Sequence, residues 1–480
     1  MKTNPQDIYT EYVSADMVKN NLTRGSIYEN CEINKSYYYG IYDKLPHINK
    51  YPLSAYNVIK RIGDYKINKL LEQEYKTMYE IPGDEGILKS RTPMEEILTG
   101  GNGRQTDYIN LLEGRLEYLK HTMDFNTLCA RMLRTAYIDG SSYLYIYTDN
   151  AGMPRGDIIR ANNIVFADYR GSEVQSQEYI IIKSRMTVKD AVALARKSGG
   201  KLSYHDYRAS AEDEGITTFT KFYKKEGRVW ATTVCERAVI CKPLCTELTH
   251  YPFCRLCWEP VEGDIYGISE VSALIPNQNA INNLLSMAIK SAIAKGAPIM
   301  VVNGDIVPET ITNNPGQVLR VYGSGEEIKN AVSYVSADTN ENFTSLLADL
   351  LETTLNQAGC TLTSRGENGI SNAAALKEIG QINATSLNFL KGYYCDFLAQ
   401  VYNCLIDFEA RSKRDKFCGL YGGKIKYYNG RLNKPVLAYV DYNNASLSKE
   451  DTLQLALTLY DKKIINQSAV LKIITKGGVV

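Results

Sequence analysis

Apolar residues recur along this chain with two periods, and the switches between them outline its organisation. Across residues 107–137, Leu111, Leu112, Leu116, Leu119, Met123, Leu128, Met132 and Leu133 keep near the 3.6-residue period and predict one long helix. Asp139–Gly140 is its stop signal. The period then shortens to two. Tyr143, Tyr145 and Tyr147 alternate with Leu144 and Ile146 as in a strand, and a turn follows at 149–152. Further short strands are expected at 157–159, 163–168 and 178–184, then at 217–223, 229–234 and 238–242. Between these groups, Thr187 caps a short helix that Gly199–Gly200 stops. Upstream, residues 1–50 are polar and rich in tyrosine and predict an extended arm plus a short helix. Residues 57–79 carry a ragged helical spacing through Val58, Ile59, Ile62, Tyr65 and Ile67.

The second half reads differently. A polar-faced helix is predicted over about 268–296, split at Pro276, with Ile281, Leu284, Leu285 and Ile289 on one side and Asn279, Asn282, Asn283, Ser286 and Lys290 toward the other. Gly296–Pro298 ends it, and a β-branched insert punctuated by Gly and Pro follows, with strands expected at 299–302 and 317–321. Asp338 and Glu341 form a capping-box pattern that starts a second helix, which Gly359 ends. A glycine-bearing loop leads to a long helix over 371–411, a closing hairpin at 424–428 and 436–441, and two short helices at the end. Two helices leaving and returning around a compact insert describe a stalk with a tip. The fold class expected is α+β.

At 480 residues the chain is long enough for roughly two to four domains. Its 55 basic and 54 acidic residues give a net charge of +1, which excludes a global basic field gripping nucleic-acid phosphates. No signal-peptide core is visible, and Lys290, Lys295 and Pro298 interrupt the most apolar run, so no membrane partner is expected. Eleven scattered cysteines point to reduced thiols in a cytoplasmic setting.

Candidate chemistry is sparse. Cys241, Cys245, Cys254 and Cys257 have a spacing that four thiolates closing on zinc would need, with His250 between them; the same residues also fit buried thiols on strands. Gly100–Gly103 lacks the lysine of a phosphate loop, and Gly422–Gly423–Lys424 lacks the following Ser or Thr. No nucleophile–base motif accompanies the four histidines. The expectation is a non-enzyme without a cofactor. The cations beside the helices, Lys290, Lys295, Arg365 and Lys377, fit ordinary surface residues, or a few charges per subunit that a ring would multiply against a phosphate backbone; with Asn368 they are the DNA-channel candidates that the resemblance described next implies.

In the order of its elements the chain resembles the portal proteins of tailed bacteriophages. The run LCARMLRTAYIDGSSYLYIYTDNAGMPRGDIIRANNIVFADY at 128–169 looks like that family's helix, strand and turn series. YPFCRLCWEPVEGDIYGISEVSALIPNQNAINNLLS at 251–286 looks like its strand, turn and Asn-bearing stem helix. NPGQVLRV at 314–321 fits the insert, and GISNAAALKEIGQINATSLNFLKGYY at 369–394 fits the long helix after the tunnel loop, with Ser371–Asn372 where a Ser-Gly pair is common. The tail from Ser448 to Ile474 resembles the C-terminal helices. Each pattern is loose; their collinear order from about Leu111 onward carries the resemblance.

The resemblance implies a portal fold. Residues 1–267 become an N-terminal arm and α+β wing, 268–296 the first stem helix, and 297–337 a β-rich clip. Residues 338–359 become the second stem helix, 360–371 the tunnel loop, 372–446 the long wing helix with its hairpin, and 447–480 a small helical crown. It also implies a homo-oligomeric ring, usually a dodecamer, at one capsid vertex of a virion assembled in the host cytoplasm. Double-stranded DNA would pass through it without sequence readout. The terminase large subunit, the major capsid protein and a head–tail connector would be its partners. Asp305, Arg320, Glu326 and Glu327 are the clip residues expected to meet terminase or connector. Two rivals remain open at this point: a zinc-binding nucleic-acid-processing protein built on the four cysteines, and another structural protein of virion assembly.

Overall fold

The computed structural model describes residues 4–21, 26–41, 55–80, 87–89, 103–149, 152–171, 173–202, 215–236, 238–296, 299–302, 324–326, 332–335, 342–360, 387–411, 416–421, 423–429, 432 and 435–442. Helix and sheet are mixed, as an α+β chain requires. Two compact units emerge. The larger holds Met1–Lys35, Gly63–Ser272 and Ala384–Val480; the smaller holds Ser36–Ile62 and Ala273–Asn383.

The described elements run α1 (Pro5–Asn20), α2 (Ile27–Tyr39), α3 (Val58–Glu72), β1 (Tyr75–Glu80), β2 (Ile87–Lys89), α4 (Gly103–Thr122), α5 (Phe125–Asp139), β3 (Ser141–Thr148), β4 (Pro154–Arg160), β5 (Ile164–Phe166) and β6 (Tyr179–Thr187). They continue with α6 (Val188–Ser198), β7 (Gly215–Lys225), β8 (Arg228–Cys235), β9 (Val239–Cys245), β10 (Phe253–Cys257), β11 (Glu259–Val261), β12 (Asp264–Ile268) and α7 (Glu270–Gly296). The remainder are β13 (Ile299–Val302), β14 (Val332–Val335), α8 (Asn342–Gln357), α9 (Asn388–Arg411), β15 (Lys416–Tyr421), β16 (Lys424–Asn429) and β17 (Leu437–Tyr442).

The core of the larger unit is a five-stranded antiparallel sheet in the order β5-β6-β7-β8-β9, beside a three-stranded sheet in the order β10-β3-β4. Period-two alternation sorts the β6 side chains: Ile180 and Ile182 join the cluster containing Tyr143 and Phe253, while Ile181 joins Ile8, Tyr12, Phe219 and Val234 under α1. Tyr145, Phe222 and Phe253 form an aromatic triangle, with ring centroids 5.0–5.4 Å apart, that locks the two sheets together. Lys19 fastens the far end of α1. It is buried, ion-paired to Asp16 at 2.9 Å, and donates to the carbonyls of Asn162 and Ile164. Burial pulls its pKa down, against the opposing charge of Asp16.

Several expectations are corrected. The arm is two helices, because Pro5 opens α1 and Ile8 and Tyr12 find a sheet to cover. The helical spacing at 57–79 ends at Glu72, and Tyr75–Glu80 becomes a strand. The long helix over 107–137 is α4 and α5, broken at Asp124, which takes the left-handed conformation at φ 50°. The helical region at 268–296 is not split: α7 runs through Pro276. Its start is fixed upstream, where Ser269 Oγ accepts from the Val271 N–H and donates to the Tyr137 carbonyl. The closing hairpin is mispaired in the sequence reading. β16 pairs with β15, across a turn where Gly423 has φ 75°, while β17 pairs with β1 in register from Tyr75↔Tyr442 to Glu80↔Leu437. The helix over 371–411 is described from Asn388 on, and the expected strand at 317–321 and the crown at 447–480 lie outside the described residues.

Candidate functional site

Helix α7, the insert after it and helix α8 form the smaller unit's main feature. Strand β13 pairs antiparallel with β14, from Ile299↔Val335 to Val302↔Val332, so the chain leaves α7, makes a β pairing and returns into α8. At the end away from the insert, Asn277 Nδ2 near the start of α7 donates to Gln357 Oε1, the last residue of α8, at 3.2 Å.

The polar row of α7 is occupied. Gln278, Asn282 and Ser286 follow one another at four-residue steps and are buried. Gln278 Oε1 accepts from the N–H groups of Val58 at 2.9 Å and Ile59 at 3.4 Å, the first turn of α3. Its Nε2 donates to the Tyr56 carbonyl and to Asn282 Oδ1, which also accepts from the Tyr56 N–H. Asn57 completes the cap by accepting from the Lys60 N–H. Tyr37 donates its hydroxyl to Asn279 Oδ1 at 2.8 Å. The amides on this side of α7 are therefore the glue that holds residues 37 and 56–59 within this unit.

Among the described side chains of α7, an exposed stripe of uncharged residues runs along another face and is bordered by Lys290. Ala273, Pro276, Asn283 and Met287 share it at helical spacing, and Met287 is 48% exposed. Helix α8 exposes Leu346 together with Asp349 and Glu352, its only charged residues. The sequence of α8 holds these two carboxylates and no cation, a signal of acidic character legible without the structure.

Of the channel candidates, Lys290 continues the Gln278–Asn282–Ser286 row and is half-buried, and Lys295 lies in the last turn of α7. Arg365, Asn368 and Lys377 are outside the described residues, as are the clip candidates Asp305, Arg320 and Glu327. Glu326 is exposed.

The four cysteines are not gathered into one centre. Cys241 and Cys245 lie on β9 of the five-stranded sheet, and Cys254 and Cys257 lie on β10 of the three-stranded one. Among the described residues no cluster of three or more His, Cys, Asp or Glu side chains is placed to hold a metal. His250 instead faces Thr249 Oγ1 at 3.0 Å and Asp407 at 3.9 Å. Burial pushes the Asp407 pKa up, but the nearby His250 and the hydrogen bond and charge of Arg411 outweigh it and hold this carboxyl below its usual value. No helix among the described residues is long and apolar enough to cross a membrane.

Compared with known proteins, the chain matches no family model, and no curated protein matches it.

The Gln278 cap gives a direct prediction. Gln278→Leu preserves volume but strands the Val58 and Ile59 N–H groups and the Tyr56 carbonyl, at a cost of about 2 kcal/mol. Amide hydrogen exchange at Val58 and Ile59 should accelerate by more than tenfold, while the β6–β7 amides stay protected. Unchanged exchange at both sites would show that the cap contributes nothing.

Proposed function

We propose that this chain is a portal protein, a homo-oligomeric ring at one capsid vertex through which double-stranded DNA is packaged and later ejected. The observation that carries the reading is the helix–strand-pair–helix unit of α7, β13–β14 and α8, which follows the order of elements of the family that the sequence resembles. In this reading α7 and α8 are the stem helices, the β13–β14 insert is the clip that docks the terminase large subunit and later the head–tail connector, and the larger unit is the wing that meets the major capsid protein.

Two features of the helices support it. An exposed helix stripe of Ala273, Pro276, Asn283 and Met287 has no charge to solvate and suits packing against the next subunit's helix. The described α8 surface bears Asp349 and Glu352 and no cation, and the whole chain is near neutral. A channel wall of that kind repels phosphates weakly and lets a duplex slide, whereas many phosphate contacts would hold it.

Electron microscopy of the purified full-length protein, with top views sorted for rotational symmetry, tests the proposal. The expected image is a closed ring whose central hole admits a duplex about 20 Å wide, on the scale of the B-DNA grooves. A monomer under all assembly conditions, including added capsid protein, overturns it.

A further inference from the structure

Strand β10 turns one row of backbone groups away from its partner β3. The Ile146 N–H donates to the Pro252 carbonyl at 2.9 Å, and the antiparallel register sets Phe253 opposite Tyr145. Residues 252, 254 and 256 therefore bond toward β3, while 251, 253 and 255 point their backbone groups outward. Primary carboxamides take two of these outward rungs. Gln175 Oε1 accepts from the Tyr251 N–H and its Nε2 donates to the Tyr251 carbonyl, both at 2.8 Å. Gln400 on α9 does the same for Arg255, accepting at 2.9 Å and donating at 3.4 Å. Asn403, three residues further on, holds Ala438 of β17 in the same way, at 2.7 and 3.0 Å. The rung between the two on β10, at Phe253, borders a cavity of about 600 Å³, and among the described residues neither its N–H nor its carbonyl has a partner on that side. Phe253 is 1% exposed, so both groups are withdrawn from bulk water and need a partner.

We infer that this cavity binds a small molecule carrying one primary carboxamide on an uncharged, apolar body. The ligand's amide oxygen accepts from the Phe253 N–H and its amino group donates to the Phe253 carbonyl, the exchange that Gln175 and Gln400 make on either side. The occupied neighbours select for a single amide. A strand added to this edge would need consecutive outward rungs, and those at Tyr251 and Arg255 are taken.

The rest of the wall sets the ligand's body. Ile406 and Val436 are buried, and Ala410 and Leu437 line the same space, so the surface on offer is apolar. The charges on the wall already answer one another: Arg411 Nε donates to Asp407 at 2.6 Å, and Arg411 Nη2 donates to Thr249 Oγ1 at 3.0 Å. A charged ligand would have to compete with these pairs, whereas a neutral amide leaves them intact. The volume falls within the range of about 300–1,000 Å³ typical of small-molecule sites. The inference does not depend on ring formation.

Benzamide added to the full-length native protein is the probe. Saturation-transfer NMR should show saturable binding with a dissociation constant of about a millimolar, the scale for so small a ligand. At about ten times that concentration, hydrogen exchange of the Phe253 amide, resolved by fragmentation in the mass spectrometer, should slow about tenfold. N,N-dimethylbenzamide has no N–H to give the Phe253 carbonyl, and benzoate adds a charge; each should bind about tenfold more weakly or worse. Ala410→Leu, which fills the cavity from α9, should abolish benzamide binding while the β6–β7 amides stay protected. Equal binding of benzamide and its dimethyl analogue, binding that leaves Phe253 exchange unchanged, or no saturable binding would each overturn the inference. N-acetylglutamine methylamide separates the two sources of a carboxamide: it should bind no better than benzamide, and tighter binding would assign the site to a partner protein's side chain and overturn the small-molecule assignment. The wild-type measurements decide the matter even where the variant folds poorly.

Discussion

Replacing Gly140 by alanine is expected to destabilise the larger unit by about 3 kcal/mol or more, against about 1 kcal/mol for the same change at Gly227. Both glycines have positive φ, +89° and +70°, so both substitutions carry the left-handed penalty. They differ in surroundings. A Cβ on Gly140 would sit 2.8 Å from the Gly267 carbonyl oxygen and 2.8 Å from the Ile268 carbonyl carbon, whereas one on Gly227 would meet nothing within 4 Å. The Gly140 neighbours are backbone and cannot rotate away. Gly267 has φ +56° and is equally crowded, with Cys257 Sγ at 2.4 Å from its built Cβ, so the two chains cross at a point where neither tolerates a side chain.

That crossing lies beside the start of α7. The Gly140 carbonyl accepts from the Trp258 N–H, Trp258 Nε1 donates to Glu270, and Lys66 pairs with the same carboxylate at 2.6 Å. Denaturant unfolding followed by hydrogen exchange at β10 and β12 reads the difference. Equal effects at Gly140 and Gly227 would mean that the crossing relaxes around a methyl group.

The sequence foretells the local features well. Helix α6 appears where Thr187 and Gly199 place it: Thr187 Oγ1 accepts from the Asp190 N–H, and Gly199 has φ 67°. The strands of the five-stranded sheet come within a few residues of their expected bounds, because period-two alternation and adjacent turns are written in consecutive residues. Non-local features were opaque. β17 pairs with β1, more than 350 residues earlier, and no turn signal marks such a partner. Asp124 adopts φ 50° without a Gly or Pro to announce it, so the apolar spacing on either side reads as one helix. The sequence marks only a polar side of α7, and the partners at Tyr37, Tyr56 and Val58, over 200 residues away, show its amides to be internal. The candidate site was legible as an order of elements. The burial of its polar row was not.

Arg115 shows how a misplaced charge signals a tertiary contact. On α4 it shares a face with Leu112, Leu116 and Leu119, all buried, and it is itself 1% exposed. Its Nη2 pairs with Glu409 on α9 at 2.8 Å, its Nη1 donates to the Cys418 carbonyl on β15 at 3.1 Å, and its plane lies near the Tyr118 ring. One guanidinium thus joins α4 to two consecutive elements about 300 residues later in the sequence. Burying such a pair carries a desolvation cost that nearly cancels its attraction, yet removing one partner strands the other charge. Glu409→Ala should therefore cost about 3–5 kcal/mol, and Arg115→Met alone a similar amount. The double variant Arg115→Met with Glu409→Leu should recover most of that loss, because it buries no charge at all. The measurement is a double-mutant cycle on unfolding, with an expected coupling of about 2 kcal/mol or more for contacting groups. Additive losses would place the strength of this junction in the Cys418 bond and the packing of α4, with the ion pair contributing nothing of its own.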